Sequence, residues 1–584
     1  GPVDQRKADP ILEKSIFFRT GERPLYGRLY IPASGKATGR GVVICDSLFE
    51  EKFWCERVHA NLARRLSGAG SLVLSFDYHG YGNSGGDSAD VRLSSIIEDI
   101  EAACDLLGSE GAGVMTIYAV RWGALPACSV AAKRLDVDSL LLVNPVTEWK
   151  KEIMKALRAN VAGQYSIFKK AVMTREKIIE ELLAGGDCVR SGYKMNNIEG
   201  YLISRKLFEE ASAAAMPRRL PGHVEKTVVI TVPEKETEGE IPSDPLVGRL
   251  GGPDAGCEGV AVRDNAFWIN NRIFTSFTPR LFETVERVVG ALPHLEEGQA
   301  PGGRGMESST FCVIDGVREE AVTIESPDGH PLCAVAYIPE SGPAEEGFVF
   351  THGGLIGMNG AFRFNTRAAR RLARAGFPAI CCDTHGMGRS GGSMENQEQR
   401  VLFREICNGL FAGDVRAAAS KLRYMSGVRK VALFGVCGGA ITNILSQSAY
   451  EEIDRSVLLS IPVMLPSLDY GKVRMSEGFA RFYLGLYLRK IFNPGAWWRF
   501  LTGRSETDKI RKSLSVTAGA ALKRISGRGR GGGASGPGHD PGAGREAAKV
   551  RSGLSVAVPG AGDLQFNPRF LEAYRTITRR GAAM

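Results

Sequence analysis

At 584 residues, the chain is too long for a single hydrophobic core and predicts two domains of about 270 to 300 residues. The formal net charge of +9 and the pI near 8.9 are mild for this length, and much of the basic excess lies between Lys472 and Arg530, which argues against a nucleic-acid-binding protein. Twelve cysteines without a CxxC pair, no apolar stretch of about 18 to 20 residues and no signal-peptide-like N-terminus predict a soluble, cytoplasmic protein without cofactor or metal site.

The first half opens with β-rich runs and continues with alternating strands and helices. The predicted strands cover residues 15–18, 26–32, 41–45, 71–76, 114–119 and 139–143. The predicted helices cover residues 59–67 and 93–107 and a stretch after Gly123. Such alternation predicts a mostly parallel sheet with helices on both faces.

The second half repeats this order at a nearly fixed offset. Its predicted strands cover residues 320–325, 332–338, 347–351, 378–383, 430–434 and 456–461, and helices are predicted at 368–375, near 410–424 and after Gly439. A loop of the form Asp-x-His-Gly occurs in both halves, at Asp77 and again 306 residues later at Asp383. Together with the candidate nucleophile elbows that follow the two loops, at Arg121 and Cys437, the repeat predicts two tandem α/β-hydrolase domains, each a doubly wound, mostly parallel sheet with an inserted helical lid.

The predicted organisation is a domain at 1–295 with a lid at about 148–220, a linker at 296–310, and a domain at 311–584. The second domain has a lid at about 466–525, followed by a Gly-rich segment at about 527–547 with the composition of a disordered region. The second lid is rich in aromatic and basic residues. It is interpreted as a helical cap over the pocket, with an acyl-chain site and a membrane-surface patch as alternatives.

Each repeated loop is followed by a candidate nucleophile elbow, the strand-turn-helix motif that carries the nucleophile in G-x-S-x-G sequences. The first half has Arg121 at the central position, whereas the second half has Cys437. Glycines at 435, 438 and 439 surround Cys437, as a strained turn requires, and the N-terminus of the following helix favours a thiolate. The alternative is a buried structural cysteine in a tight turn.

An oxyanion hole in this fold pairs the amide after the nucleophile with an amide from the loop after the third strand. Gly438 and either Gly353 or Gly354 are the candidates here. Two such amides stabilise a developing oxyanion by about 3 to 4 kcal/mol each in comparable enzymes. A Gly-rich turn needed only for close packing is the alternative.

The remaining partners of a catalytic triad are harder to place. Asp563, after a predicted strand at residues 554–558, is the candidate acid, but no histidine follows it. His352, His385 or His539 could serve as base, the C-terminus could be truncated, or the domain does not hydrolyse anything. His385 has a structural alternative, because His79 recurs at the same place in the half that has no nucleophile.

Arg121 cannot attack a carbonyl. It is a candidate for binding a carboxylate or phosphate at the mouth of the pocket, and the alternative is an internal salt bridge to a carboxylate such as Asp46 or Asp77.

Several phrases resemble the exosortase A system-associated hydrolases. In the second half, Val436-Cys437-Gly438-Gly439-Ala440 and the stretch from Phe482 to Arg504 resemble the elbow and the Tyr- and Arg-rich lid of type 1. In the first half, Arg121-Trp122-Gly123-Ala124-Leu125, Gly200-Tyr201-Leu202-Ile203-Ser204 and Ala266-Phe267-Trp268 resemble type 2. The chain departs from type 1 where Gly438 replaces an aspartate and where the terminal histidine block is absent.

The resemblance implies hydrolases acting on acyl, ester or thioester substrates. We therefore expect an acyl, ester or thioester hydrolase or acyltransferase that uses Cys437, joined to a degenerate N-terminal domain. The basic lid is a candidate contact for an acyl carrier or a membrane surface, and the two halves are expected to form a pseudo-dimer within the chain. The alternative is a non-catalytic pair that acts as a scaffold or binding module.

Overall fold

A computed structural model describes residues 11–33, 37–234, 239–269, 278–293, 305–352, 356–394, 398–465 and 565–580. Within these ranges, no helix combines the length and the apolarity that crossing a bilayer requires. The predicted linker lies partly outside them, and the second lid and the Gly-rich segment lie wholly outside.

The N-terminal half is built on one eight-stranded sheet. Its elements are β1 (Leu12–Thr20), β2 (Arg23–Ile31), β3 (Arg40–Cys45), α1 (Phe49–Gly68), β4 (Leu72–Phe76), α2 (Leu93–Ser109), β5 (Val114–Val120), α3 (Ala124–Ala131), β6 (Val137–Val143), α4 (Trp149–Phe168), α5 (Arg175–Leu183), β7 (Val189–Arg190), β8 (Tyr193–Lys194), β9 (Asn197–Ile198), β10 (Tyr201–Leu202), α6 (Arg205–Ala213), β11 (Lys226–Thr231), α7 (Pro245–Arg249), β12 (Cys257–Ala261) and α8 (Pro279–Gly290). The strand order is β1-β2-β4-β3-β5-β6-β11-β12, and only β2 runs against the others.

Apolar side chains cover both faces of this sheet. Successive residues of β3 and β5 point to opposite faces, and the inner residues of both strands are buried on each side. One face packs on α2 and α3, and the other on α1 and α8. Helices α4 to α6 and the short strands between them are inserted between β6 and β11.

The C-terminal half repeats the architecture. Its elements are β13 (Phe311–Ile314), β14 (Val317–Glu325), β15 (Pro331–Pro339), β16 (Glu346–Thr351), α9 (Phe364–Arg374), β17 (Ala379–Cys382), α10 (Gln399–Cys407), α11 (Ala412–Ser426), β18 (Lys430–Val436), α12 (Gly438–Ala449), β19 (Arg455–Leu459), β20 (Met464–Leu465), β21 (Gln565–Phe566) and α13 (Pro568–Arg579). The main sheet has the order β13-β14-β15-β17-β16-β18-β19, so that β14 to β19 reproduce the order of β1 to β6.

This order, with the second strand reversed, is that of α/β-hydrolases, and the predicted fold class is confirmed for both halves. β13 is an added edge strand that pairs antiparallel with β14. The described residues through Val463 together with α13 form one compact unit that contains both sheets, and the few described residues between 464 and 567 belong to a second.

Within the first unit, the two halves contact each other through the repeated Asp-x-His-Gly loops. Arg363 donates three hydrogen bonds to carbonyl oxygens of the 77–86 loop, at Gly82 (2.8 Å), Gly86 (2.9 Å) and Ser84 (2.6 Å). Arg370 donates to the carbonyls of Asn83 and Ser84 as well.

The contact is reciprocal. Arg57, 306 residues before Arg363, donates to the carbonyls of Ser390 and Gly392 in the 383–392 loop. Arg64, 306 residues before Arg370, donates to the carbonyl of Arg389 at 2.7 Å. Arg64 and Arg370 each pair also with a glutamate of their own half, Arg64 with Glu13 and Arg370 with Glu319. The interface is therefore isologous in its main contacts, as in a two-fold dimer.

Candidate functional site

Both candidate elbows are present as strained turns. Arg121 directly follows β5 and has a φ of 52°, and Cys437 directly follows β18 and has the same φ of 52°. A non-glycine residue in this region costs about 1 to 3 kcal/mol, and such strain persists where the surrounding structure imposes it. Each half therefore has a strained strand-to-helix turn at the position where the sequence predicts the elbow.

Close packing behind each turn explains why the residue two positions after the strained one has to be a glycine, Gly123 in the first half and Gly439 in the second. A Cβ on Gly439 would lie 2.4 Å from the carbonyl oxygen of His352, and a Cβ on Gly123 would lie 2.7 Å from that of Asp46. The first turn of each following helix thus lies against the loop after the third strand of its own half. That proximity is what an oxyanion hole built from these two segments needs.

Cys437 differs from every other cysteine of the chain. Eleven cysteines are buried, and Cys437 alone is partly exposed. It precedes α12, and its carbonyl accepts from the amides of Ala440 (3.0 Å) and Ile441 (3.2 Å). Gly438 is the first residue of α12, so the helix does not use its N–H, which stays available to a ligand.

The two candidate bases are anchored by other groups. His352 is buried, with its Nε2 at 2.9 Å from Thr384 Oγ1, and burial lowers its pKa to about 4. His385 is held by Asp414, whose Oδ2 lies 2.7 Å from the ring Nδ1 and also accepts the backbone N–H at 2.8 Å. In the first half Asp99 accepts the backbone N–H of His79 in the same way. A role for either histidine as base stays a prediction.

The other partners predicted for Cys437 lie outside the described residues. These are Gly353, Gly354, Asp563 and His539. Their roles stay predictions.

In the first half, Arg121 forms the internal salt bridge that the sequence leaves open as an alternative. Its guanidinium lies 3.0 Å from Glu51 Oε1 and 3.5 Å from Glu152 Oε1, and it stands 5.9 Å from the ring centre of Trp268. The carboxylates suggested by the sequence, Asp46 and Asp77, are bound elsewhere. Anion binding by Arg121 stays a prediction.

Asp46 and Asp77 belong to a buried cluster centred on Lys52. The Lys52 ammonium lies 3.1 Å from Asp46 Oδ2 and 2.7 Å from Asp77 Oδ1. Burial alone would raise the pKa of Asp46, but Lys52 and His59 together hold it below its usual value. Asp46, Cys55 and His59 lie within reach of a shared metal ion, yet the Lys52 ammonium already supplies the positive charge at Asp46.

In the first half, two side chains that follow the last two strands of the sheet lie in one cavity with Arg121. Glu234 follows β11 and Trp268 follows β12, and both line one cavity with Arg121. An α/β-hydrolase carries its acid and its histidine after these strands. No histidine occurs in the sequence between β12 and α8. Sequence reasoning does not single out Glu234, for which the position three residues after β11 is the available signal.

Comparisons with known proteins agree with this architecture. Residues 50–206, which include the arginine elbow, match the family described as Hydrolase_4, serine aminopeptidase, S33. No curated protein matches the chain.

Among solved structures, the chain is similar to a hydrolase-like protein from Agrobacterium vitis S4 (17% identity, 48% of this chain and 98% of that one, TM-score 0.33). It is also similar to the enol-lactonase from Burkholderia xenovorans LB400 (16%, 47% and 99%, 0.30) and to Est1E from Butyrivibrio proteoclasticus with bound ferulic acid (14%, 47% and 96%, 0.28). Strand order and family match together describe a hydrolase-like α/β chain.

Proposed function

We propose that the C-terminal half is an acyl hydrolase or acyltransferase that acts on ester or thioester bonds through Cys437. The observation that carries this proposal is the partly exposed thiol at a strained strand-to-helix turn, with φ 52° and ψ −115°. Strain of this kind is maintained where a side chain has to be presented at a defined angle. A structural cysteine would be expected inside the core, where the other eleven lie.

In the proposed reaction the Cys437 thiolate attacks the carbonyl carbon of the substrate. The oxyanion that forms is stabilised by the Gly438 amide and by an amide of Gly353 or Gly354. Collapse of the tetrahedral intermediate expels an alcohol or thiol, which takes up the proton lost by Cys437, and leaves a thioester on the enzyme. Water or an acceptor then releases the acyl group. Asp563 orients the base, for which His352 and His385 are the candidates.

The N-terminal half is proposed as the degenerate partner, because Arg121 is the central residue of its elbow and no histidine occurs in the sequence between β12 and α8. The substrate is a small acyl, ester or thioester compound, and an acyl carrier or a membrane surface would approach through the basic lid at 466–525. The alternative is a non-catalytic pair of domains that acts as a scaffold. Arg121 at the elbow favours this alternative for the first half.

Intact mass spectrometry after reaction with p-nitrophenyl acetate tests the proposal. We expect one acetyl group on the wild-type chain near neutral pH, a burst of one p-nitrophenolate per chain, and loss of both in Cys437→Ala. Cys407→Ala, which removes a buried neighbouring thiol, should keep both signals. An unchanged burst in Cys437→Ala, or selective acylation of another residue, would refute the role of Cys437.

A further inference from the structure

A groove with a volume of about 660 Å³ lies on the helices that are inserted between β6 and β11. One wall is a face of α4, and the others come from the start of α5 and the end of α6. Every residue that lines it lies inside the described range 37–234. Sites for organic ligands usually have volumes of about 300 to 1,000 Å³. The groove belongs to the N-terminal half, so what it binds is independent of the reaction proposed for Cys437.

Basic side chains outnumber carboxylates around this groove. One carboxylate lines it, that of Glu148, together with five cations, Lys150, Lys151, Lys155, Arg158 and Arg175. Three of the cations are paired, Lys151 with Glu148 at 3.6 Å, Lys155 with Glu152 at 2.9 Å and Arg175 with Glu176 at 2.5 Å. These three pairs leave two cations of the groove to be accounted for.

Lys150 and Arg158 are the two cations without a partner. Neither has a carboxylate oxygen within 4.0 Å among the residues that the structure describes. Both are exposed, and their spacing of eight residues, with Met154 midway, places them along one face of α4. Even when every paired cation is counted as neutral, two positive charges remain for a ligand, and this favours an anion.

The rest of the wall is apolar. Trp149, Met154, Ala211 and Ala214 form it, and the methylene groups of the lysine side chains extend it. The hydroxyl of Ser212 already donates to the Phe208 carbonyl at 2.7 Å, and the indole nitrogen of Trp149 is not accessible to solvent. A sugar or a base placed here would lose its hydrogen bonds to water, whereas a hydrocarbon chain would gain hydrophobic contact.

We propose that this groove binds the anion of a fatty acid. The carboxylate lies between Lys150 and Arg158, and the hydrocarbon chain packs along Met154 and the alanines at the end of α6. A guanidinium suits this role because it binds a carboxylate through two parallel hydrogen bonds. The basic side chains surround a concave groove, which accommodates a single acyl chain, whereas a bilayer presents a broad surface. The inserted helices of the N-terminal half therefore form a site for one fatty acid molecule.

Isothermal titration calorimetry on the full chain tests this with dodecanoate below its micelle-forming concentration. Dodecyltrimethylammonium keeps the chain length and reverses the charge, whereas acetate keeps the carboxylate and removes the chain. We expect dodecanoate to bind at least about tenfold more tightly than either, because charge and apolar contact both contribute. Equal binding by one of these two compounds, or no binding of dodecanoate, overturns the proposal. Binding to phosphatidylglycerol vesicles without binding of dodecanoate would assign the groove to a membrane surface instead.

A pair of double variants locates the carboxylate. Lys150→Gln combined with Arg158→Gln should weaken dodecanoate binding by about tenfold or more. The control combines Lys177→Gln with Lys206→Gln, two exposed lysines on α5 and α6 that do not line the groove, and it should not change the affinity. Both double variants lower the net charge by the same amount, so an effect of overall charge would be equal in the two. Unchanged binding in the first variant, or an equal loss in the control, contradicts the assignment.

Cys437→Ala distinguishes this site from the proposed catalytic site. It should bind dodecanoate like the wild type, and the double variant at Lys150 and Arg158 should keep the p-nitrophenolate burst. If Cys437→Ala loses dodecanoate binding, the calorimetric signal comes from the C-terminal half and the groove is not the site.

Discussion

The reciprocal arginine contacts between the halves predict a large effect from a single substitution at Arg363. The side chain is 2% exposed and its guanidinium donates to three carbonyl oxygens of the other half, at 2.6 to 2.9 Å. Arg363→Met keeps most of the apolar stem and removes all three donors. The carbonyls of Gly82, Ser84 and Gly86 then lose a charged partner at the interface.

The magnitude follows from these contacts. A hydrogen bond from an ionised donor contributes about 1.5 to 3 kcal/mol, so three of them set an upper bound of roughly 5 to 9 kcal/mol. Burial of the guanidinium offsets part of this, since desolvation and the neighbouring Arg370 lower the pKa of Arg363 to about 10. We expect the free energy of unfolding to fall by about 3 to 5 kcal/mol, the range for removing one partner of a buried ionic contact.

Equilibrium unfolding in urea, followed by tryptophan fluorescence and by far-UV circular dichroism, measures this loss. The matched control is Arg367→Met in α9, the helix that begins directly after Arg363. Its side chain is 54% exposed and lies 3.6 Å from Asp87, and we expect a change within about 0.5 kcal/mol there. If Arg363→Met destabilises the chain no more than Arg367→Met does, the carbonyl contacts do not hold the halves together.

Two further substitutions test the elbow and the buried charges. Gly439→Ala places a Cβ 2.4 Å from the His352 carbonyl oxygen and should lower the free energy of unfolding in urea by about 2 to 3 kcal/mol. The control is Gly163→Ala, in open space on α4, which should stabilise the chain by up to about 1 kcal/mol. Equal effects of the two substitutions would contradict the packing argument. Burial raises the pKa of Asp99 to about 7, so the folded chain keeps a proton that the unfolded chain releases near pH 4, and stability falls as the pH rises from about 4 to 7. In Asp99→Asn the fall in the free energy of unfolding between pH 5 and pH 7 should be smaller by about 2 kcal/mol. Glu98→Gln, at an exposed neighbouring position, is the control. If the pH dependence of stability in Asp99→Asn equals that of the wild type, Asp99 is not the titrating group.

The sequence predicts the positions of the central strands well because buried strands are apolar and bounded by turn residues. β3 and β5 lie within a residue or two of their predicted positions. It predicts the first helix poorly: a helix is expected from His59, whereas α1 begins at Phe49. The missed turns contain Lys52 and Glu56, which are charged yet buried, and only their tertiary partners make such residues compatible with a core-facing helix.

The missed start of α1 also explains why the sequence does not predict the partner of Arg121 in the N-terminal site. The elbow position of Arg121 is visible from the strand, the turn glycine and the following helix. Its partner Glu51 is not predicted, because Glu51 lies in the first turns of α1, which the sequence pattern does not predict as helix. The contact between the halves is reflected in the sequence, since the residues that form it have identical counterparts 306 positions later: Glu13, Arg57 and Arg64 correspond to Glu319, Arg363 and Arg370. Spacing alone, however, does not tell which residues meet.

Arg57, Arg64, Arg363 and Arg370 bind main-chain oxygens of the opposite half, and every amino acid supplies such an oxygen. The loops they hold can therefore exchange side chains without losing these contacts, as the pair Tyr81 and Met387 illustrates. After a gene duplication, each copy of such a loop is free to acquire a different chemistry while the association persists. A half that carries Arg121 and a half that carries Cys437 can in this way diverge within one polypeptide, which a joint made of matched side chains would resist.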